Sequence, residues 1–346
     1  MSAPGIRTPE RLPAVDAGAS LRVLTITNRW PKAEHHGGLF VKQLVDALRT
    51  LGHEVDVEVV ADARGRSDYA LAAPRVRRRA AAGSYDVVHA HYGLTALAGR
   101  FVSSAPRVIS LYGSDVNITW QRWLTKMFWG GYSARIYVSK RLAETARDPA
   151  GIVIANGVDF RRFVTGDRAA ARRSLGAQPE DRLVLFGAAP TRRVKGWDVF
   201  SEVVARLQAQ GIPALPVVLA EPGQPAARVV EKMDAADMLL FTSRQGSEGS
   251  PTVVKEAIVM GLPVVSVDVG DVAELLAGVD PSAVVAFPTD DDRSRVRSRL
   301  IELLTEHAAR VLDDGRRANG RQQCAWLDVE AVAARVERVY RSVVRV

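Results

Sequence analysis

From Leu21 onward, short runs rich in β-branched residues alternate with stretches patterned for helices, and the alternation pauses once and restarts. Strands separated by helical crossovers lie parallel, in a sheet whose two faces the helices cover. The first series of strand-like runs is Leu21–Thr27, Glu54–Val60, Tyr85–Ala90, Arg107–Tyr112, Ala134–Val138 and Ile152–Ala155. Asn156-Gly157-Val158-Asp159 is turn chemistry, and the charged stretch Arg168–Leu175 reads as a helix connecting two lobes. A second series follows at Leu183–Phe186, Leu215–Leu219, Met238–Thr242, Val264–Val267 and Ala283–Phe287.

Two such series predict an α/β protein of two Rossmann-like parallel-sheet lobes facing a central cleft, and 346 residues exceed what one core usually supports. The expected division is a flexible extension at 1–20, a first lobe at 21–158, a second at 159–325 and a closing helix at 326–346. Val332, Val336, Val339, Tyr340 and Val343 give that helix one apolar face, which either stays with the second lobe or crosses back to the first.

Charge narrows the partners. The 47 basic and 39 acidic residues leave a net +8, which favours anions such as nucleoside diphosphates and lipid headgroups; nucleic acid is not expected as a partner. The lone Cys324 excludes an internal disulfide and any multi-cysteine zinc site, which suits a reducing compartment. No run approaches the roughly 18 apolar residues of a membrane span, and Met1–Ser20 lacks the apolar centre of a signal peptide. The expected location is the cytoplasm, with peripheral attachment to the inner face of the membrane as the variant.

The most informative segment is Ser247-Glu248-Gly249-Ser250-Pro251-Thr252-Val253-Val254-Lys255-Glu256-Ala257, just past the strand ending at Thr242. Ser250 suits a helix N-cap and Pro251 the first helical position, while Gly261 and Pro263 supply the stop. Such a helix, starting at the carboxyl end of a parallel strand, turns the free N–H groups of Thr252 and Val253 toward the crevice, where a pyrophosphate would be held. Glu256 sits among apolar neighbours at helical spacing. Either a polyhydroxylated ligand satisfies its carboxylate, or Lys255 and Glu256 mark the solvent edge of the helix.

Taken with Gly261-Leu262-Pro263-Val264-Val265, and with Glu248 and Glu256 seven residues apart, this segment resembles the donor-binding signature of retaining glycosyltransferases of family 4, also called glycosyl transferases group 1. Further matches are Gly37-Gly38, Gly52-His53-Glu54-Val55, Tyr85-Asp86-Val87-Val88-His89-Ala90-His91, Asn156-Gly157-Val158-Asp159 and Lys195-Gly196, so the resemblance runs from about Leu21 to Leu276. It implies the GT-B fold and metal-independent transfer of a sugar, with retained anomeric configuration, from a nucleoside diphosphate sugar such as a UDP- or GDP-sugar. No cofactor or metal is implied. The acceptor would be a hydroxyl of a glycan, glycolipid or small molecule.

Residue by residue, the resemblance makes Glu256 a ribose ligand, Glu248 a ligand of the transferred sugar, and Lys195 the cation on the departing diphosphate. Gly249, Ser250, Pro251, Thr252 and Val253 would hold sugar and phosphates through the backbone, and Gly37 and Gly38 would admit the diphosphate from the first lobe. Three departures stand out. Gly187-Ala188-Ala189-Pro190 lacks the family's usual arginine, leaving Arg192 or Arg193 as substitutes; Tyr112 stands where histidine is common; and the stretch from Leu219 to Asp237 is short. Tyr112 would face the sugar, and His91 and Asp115 are candidates on the acceptor side.

His89 and His91, two residues apart, read as loop or packed histidines more readily than as metal ligands. Trp120, Trp123, Leu124, Met127 and Phe128 form a helical stripe beside Arg122 and Lys126, read either as a core face or as a membrane-surface face. Arg75, Arg77, Arg78 and Arg79 either flank an acidic headgroup or are simply solvated. Competing activities are a nucleotide-sugar epimerase of the same fold and a non-catalytic carbohydrate-binding protein. A dehydrogenase is disfavoured, because no Gly-x-Gly-x-x-Gly follows the first strand.

Overall fold

The computed structural model describes residues 18–31, 37–60, 65, 67–221 and 224–344; most of the expected extension at 1–20 lies outside these. The chain divides into two compact units, Met1–Asp159 with Trp326–Val346, and Phe160–Ala325.

In the first unit the strands are β1 (Arg22–Thr27), β2 (Glu54–Val59), β3 (Val87–His91), β4 (Arg107–Leu111), β5 (Ala134–Tyr137) and β6 (Ile152–Val153). They form one parallel sheet in the order β2-β1-β3-β4-β5-β6. Successive side chains of a strand point to opposite faces. Val23 accordingly joins a cluster with Val87, Val108 and Ile136, while Leu24 and Ile26 join Val76, Val88 and Ala98 on the other face. The first cluster is covered by helix α1 (Leu39–Thr50), through Val45 and Leu48. The chain's last helix covers it too, through Val332, Val336, Val339 and Tyr340. Each such buried side chain contributes about 1.5–3 kcal/mol. The closing helix therefore belongs to the first unit.

The second unit holds β7 (Arg182–Phe186), β8 (Ala214–Val218), β9 (Met238–Phe241), β10 (Val264–Val267) and β11 (Ala283–Val285), parallel in the order β11-β10-β9-β7-β8. The fold class is thus the one the alternation predicts, and strand ends differ from the sequence reading by no more than two residues. The charged helix, Arg168–Ser174, is not a connector. Arg168 Nη2 and Arg172 Nη1 donate to the Asp237 carboxylate at 2.5 and 3.0 Å, tying the helix into the second unit.

Counted from its own first strand, each sheet follows the order 2-1-3-4-5. In that winding the crossovers leave the first strand in opposite directions, and a crevice opens beyond the carboxyl ends of strands 1 and 3, where α/β proteins bind ligands. Those ends belong to β1 and β3 in one unit and to β7 and β9 in the other.

Candidate functional site

In the second unit, the chain leaving β7 passes Gly187, where a Cβ would lie 3.0 Å from both γ-carbons of Val253. It then makes one 3₁₀ turn, Arg193–Lys195, and reverses at Gly196. Gly196 has φ +72°, and a Cβ there would fall 2.1 Å from the carbonyl oxygen of Thr242. No other residue fits. The Thr242 hydroxyl donates to the carbonyls of Lys195 and Gly196 at 3.2 and 3.0 Å, so Lys195 is fixed to the end of β9.

Lys195 Nζ donates to Glu248 Oε1 at 2.6 Å, and the Ser243 hydroxyl donates to the same oxygen at 2.7 Å. The residues assigned to the diphosphate and to the sugar thus meet as a largely buried ion pair. Ser243 gave no sequence signal. Arg192 and Arg193 are exposed, and the Arg193 carbonyl accepts from Arg244 Nε at 3.1 Å.

The helix after Glu248 spans Thr252–Val259, with Pro251 rather than Ser250 at its N-cap and no side-chain cap. The expected Ser250 cap does not form, because that hydroxyl donates instead to Asp271 Oδ2, at 2.5 Å in a buried contact. Among the described residues no side chain caps this helix. Lys255 is 0% exposed, which overturns the solvent-edge reading. Burial lowers its pKa to about 8, against the opposing charges of Asp271 and Glu256.

Glu256 is half-buried, and no hydrogen bond reaches its carboxylate among the described residues. Burial raises its pKa to about 7, a shift that the positive charges of Arg162 and Lys255 moderate. Arg162 and Asp271 escaped sequence reasoning; the one cue to Asp271 was the Gly270-Asp271 turn after a strand neighbouring β9.

At the first unit's crevice, Gly38 has φ +85°, and a Cβ there would lie 2.3 Å from the Arg29 carbonyl oxygen; Gly37 beside it is exposed. His89 and His91 do face the same side, with ring centroids 4.0 Å apart. His89 shares hydrogen bonds with the Tyr340 hydroxyl at 2.6 Å and the Ser110 hydroxyl at 2.8 Å. His91 shares one with the Tyr112 hydroxyl at 2.5 Å. Burial pushes His91 down to about 3 and His89 well below its ordinary value, the neighbouring His91 adding to the latter, so both rings are neutral.

Two acceptor-side assignments are corrected here. His91 is 1% exposed and engaged with Tyr112. Asp115 is 0% exposed, and its carboxylate accepts from the N–H groups of Tyr112 and Gly93 at 3.1 Å and of Gly113 at 2.7 Å. Both shape the loop rather than present groups to a ligand. Tyr112 is half-buried, its ring tilted by 52° against that of Phe40 with centroids 4.8 Å apart, and burial raises its hydroxyl's pKa.

The aromatic stripe lies on helix Thr119–Phe128, where Thr125 is the buried position while Trp120, Trp123 and Met127 are 54, 64 and 43% exposed. The core-face reading therefore fails for these three residues, while Phe128 packs against a core cluster of the first unit. In the arginine run, Arg75 pairs with Glu58 and Asp68, and Arg79 with Glu58, which removes much of its free charge. Among the described residues, no group of three or more His, Cys, Asp or Glu side chains is placed to hold a metal ion, and no helix is long and apolar enough to cross a membrane.

Comparisons with known proteins converge on one family. Residues 18–162 match the model Glycosyltransferase Family 4, and residues 180–306 match Glycosyl transferases group 1. The teichuronic acid biosynthesis glycosyltransferase TuaC of Bacillus subtilis is 30% identical over 216 residues, 55% of this chain and 55% of that protein. D-inositol 3-phosphate glycosyltransferase 1 of Catenulispora acidiphila is 28% identical over 324 residues, 76% of this chain and 74% of that protein. The chain thus spans about half the length of the first of these relatives and three quarters of the second. Among solved structures, sucrose-phosphate synthase from Thermosynechococcus elongatus superimposes with TM-score 0.68 at 17% identity, covering 93% of this chain and 98% of that one. Anabaena HepE in complex with UDP-glucose does so with TM-score 0.62 at 18% identity, covering 93% of this chain and 100% of that one. With both parallel-sheet units matched by their own family models, the chain belongs to the group 1 glycosyltransferases of family 4 and has their GT-B fold.

Proposed function

We propose that the protein is a retaining, metal-independent glycosyltransferase that moves a sugar from a nucleoside diphosphate sugar to a hydroxyl acceptor in glycan, glycolipid or cell-surface polysaccharide assembly. The observation that carries this is the second unit's crevice, where an uncapped helix N-terminus and a carboxylate without a hydrogen bond accompany Lys195 and Glu248. An anionic diphosphate answers the amides and Lys195. Ribose hydroxyls answer Glu256.

In this reading the donor opens the Lys195–Glu248 pair. Its phosphates take the ammonium, and Glu248 turns to the hydroxyls of the sugar, with Arg192 or Arg193 as further cations for the diphosphate. As the bond from the anomeric carbon to the phosphate oxygen breaks, the acceptor oxygen attacks from the same face and its proton passes to the leaving phosphate. Lys195 and the amides stabilise the charge that grows on that phosphate, so no metal is required. In this reading Tyr112 would face the transferred sugar, and Gly37 and Gly38 would leave room for the donor's phosphates.

The family names of TuaC and of the Rhizobium meliloti lipopolysaccharide core mannosyltransferase LpsB support an envelope-polymer acceptor, and HepE's ligand makes UDP-glucose the first donor to try. The exposed Trp120, Trp123 and Met127 support an acceptor met at an anionic membrane surface. Ile118 and Phe101 are 40 and 56% exposed, and Arg100 donates to the Met127 carbonyl at 3.0 Å, which adds a cation beside the aromatic face.

The test is incubation with UDP- and GDP-sugars, with and without acceptor, in EDTA. Acceptor-dependent release of nucleoside diphosphate is expected. Epimerised donor, binding without release, or activity restored only by manganese or magnesium would replace this reading.

A further inference from the structure

The loop that carries Glu248 to the N-terminus of helix Thr252–Val259 is held from behind by a second loop, following β10. Gly270, at φ +59°, packs so closely on Gly249 that a Cβ there would lie 2.8 Å from the Gly249 carbonyl oxygen and 3.4 Å from the Glu248 β-carbon. The next residue, Asp271, is 5% exposed and takes the Ser250 hydroxyl on Oδ2 at 2.5 Å. Its other oxygen, Oδ1, is buried with no hydrogen-bond partner. Lys255, one turn along the helix and fully buried, acts on it as a counter-charge.

A buried carboxylate with an unused oxygen is unfavourable unless some other group compensates, and here that group is the Lys255 cation. What the arrangement achieves is local. Ser250 stands immediately before Pro251, a position from which a serine hydroxyl commonly caps the first helical turn, and Asp271 takes that hydroxyl instead.

We propose that Asp271 is a positioning residue for the donor site: with Lys255 as its counter-charge, it fixes the 247–251 loop through Ser250 and keeps the amides of Thr252 and Val253 open to the donor's diphosphate. This rests on the donor reading given above, but its first consequence is independent of any ligand. The loop is ordered by the Ser250–Asp271 bond in the unliganded protein.

The experiment compares wild type with Ser250→Ala, Ser250→Thr, Asp271→Asn and the Ser250→Ala/Asp271→Asn double variant. Amide hydrogen exchange over 244–254 is measured without ligand, alongside binding of UDP, GDP, uridine and guanosine. Ser250→Ala and Asp271→Asn should each speed exchange in that segment about tenfold and weaken diphosphate binding about tenfold, with nucleoside affinity changed less than twofold. The double variant should do no more than the worse single one, since the two residues act through one bond. Ser250→Thr, which keeps the hydroxyl, should restore both readouts.

Unchanged exchange and diphosphate affinity in folded Ser250→Ala would overturn the proposal, as would equal losses for diphosphates and nucleosides. Should Asp271→Asn fail to fold, Ser250→Ala and its threonine rescue still decide. If the wild type binds neither UDP nor GDP, the donor reading falls, and the exchange measurement alone judges the positioning claim.

Discussion

The two sheets share one winding, yet their crevices treat polar groups in opposite ways. In the last residues of β3 and β4 and the loop after β4, His89, His91, Ser110, Tyr112 and Asp115 satisfy one another, Tyr340 and nearby amides. Beyond β9, Glu256 has no hydrogen bond among the described residues, the helix N-terminus has no side-chain cap, and Asp271 Oδ1 is unpartnered. A buried polar group left without a partner costs about 1–3 kcal/mol, a cost carried at the second crevice by Asp271 Oδ1 and not by the polar groups named at the first.

The sharpest way to break this contrast is Lys195→Ala. If the second crevice carries the chemistry, kcat should fall about 10²–10³-fold, as when one stabiliser of transition-state charge is removed. Steady-state rates at saturating donor would show it, and an unchanged kcat would place the chemistry elsewhere.

Glu256→Gln should separate binding from stability. Donor affinity should drop by about 1.5–3 kcal/mol in calorimetry, through loss of a charged acceptor. The free protein should respond in the opposite sense. With the folded pKa raised to about 7, the native state binds more protons than the unfolded chain between pH 4.5 and 7, so this group's contribution to stability falls as pH rises through that window. The variant should therefore melt above wild type at pH 8, by the equivalent of order 1–2 kcal/mol, with the gain shrinking as pH falls below 7 and nearly gone at pH 4.5. A variant less stable than wild type at pH 8 would show that Glu256 is structural.

In the first unit the expected pattern is reversed. His91→Phe removes one of the Tyr112 hydroxyl's partners, leaving Ser110, and should cost about 1 kcal/mol in denaturant unfolding, with UDP and GDP affinity unchanged. A weakened donor at wild-type stability would erase the contrast. The smallest effect on folding is expected from Trp120→Ser/Trp123→Ser, within about 0.5 kcal/mol, because both rings are exposed. Cosedimentation with anionic liposomes should fall severalfold all the same.

Strand positions were legible because the period-two runs and their turns are local, and the segment from Ser247 to Ala257 announced itself by the order of glycine, helix start and acidic residues. Contacts between distant segments were not legible. Ser250 looks like a cap, as serine before a helix usually does, until Asp271 arrives from another loop and takes its hydroxyl. Lys255 beside Glu256 reads as a charged edge, yet only packing decides which side of a helix is solvent, and that side proved fully buried at Lys255. The stripe's Trp120, Trp123 and Met127 had the opposite fate. Helical spacing reveals an apolar face without saying what covers it. Asp115 and His91 look chemically available in a string of letters, whereas the backbone amides and the hydroxyl that occupy them appear only once the loops close.

The closing helix also sets the order in which the molecule is made. Val332, Val336, Val339 and Tyr340 belong to the same core as Val23, Val87 and Val108, although the ribosome delivers them more than two hundred residues later. Residues 160–325 form one contiguous compact unit. The first unit is not contiguous: one apolar face of its sheet stays half covered while the rest of the chain is synthesised, a wait of roughly 10–40 s at ordinary elongation rates. The core of the first sheet is therefore completed only after residues 160–325 have been made.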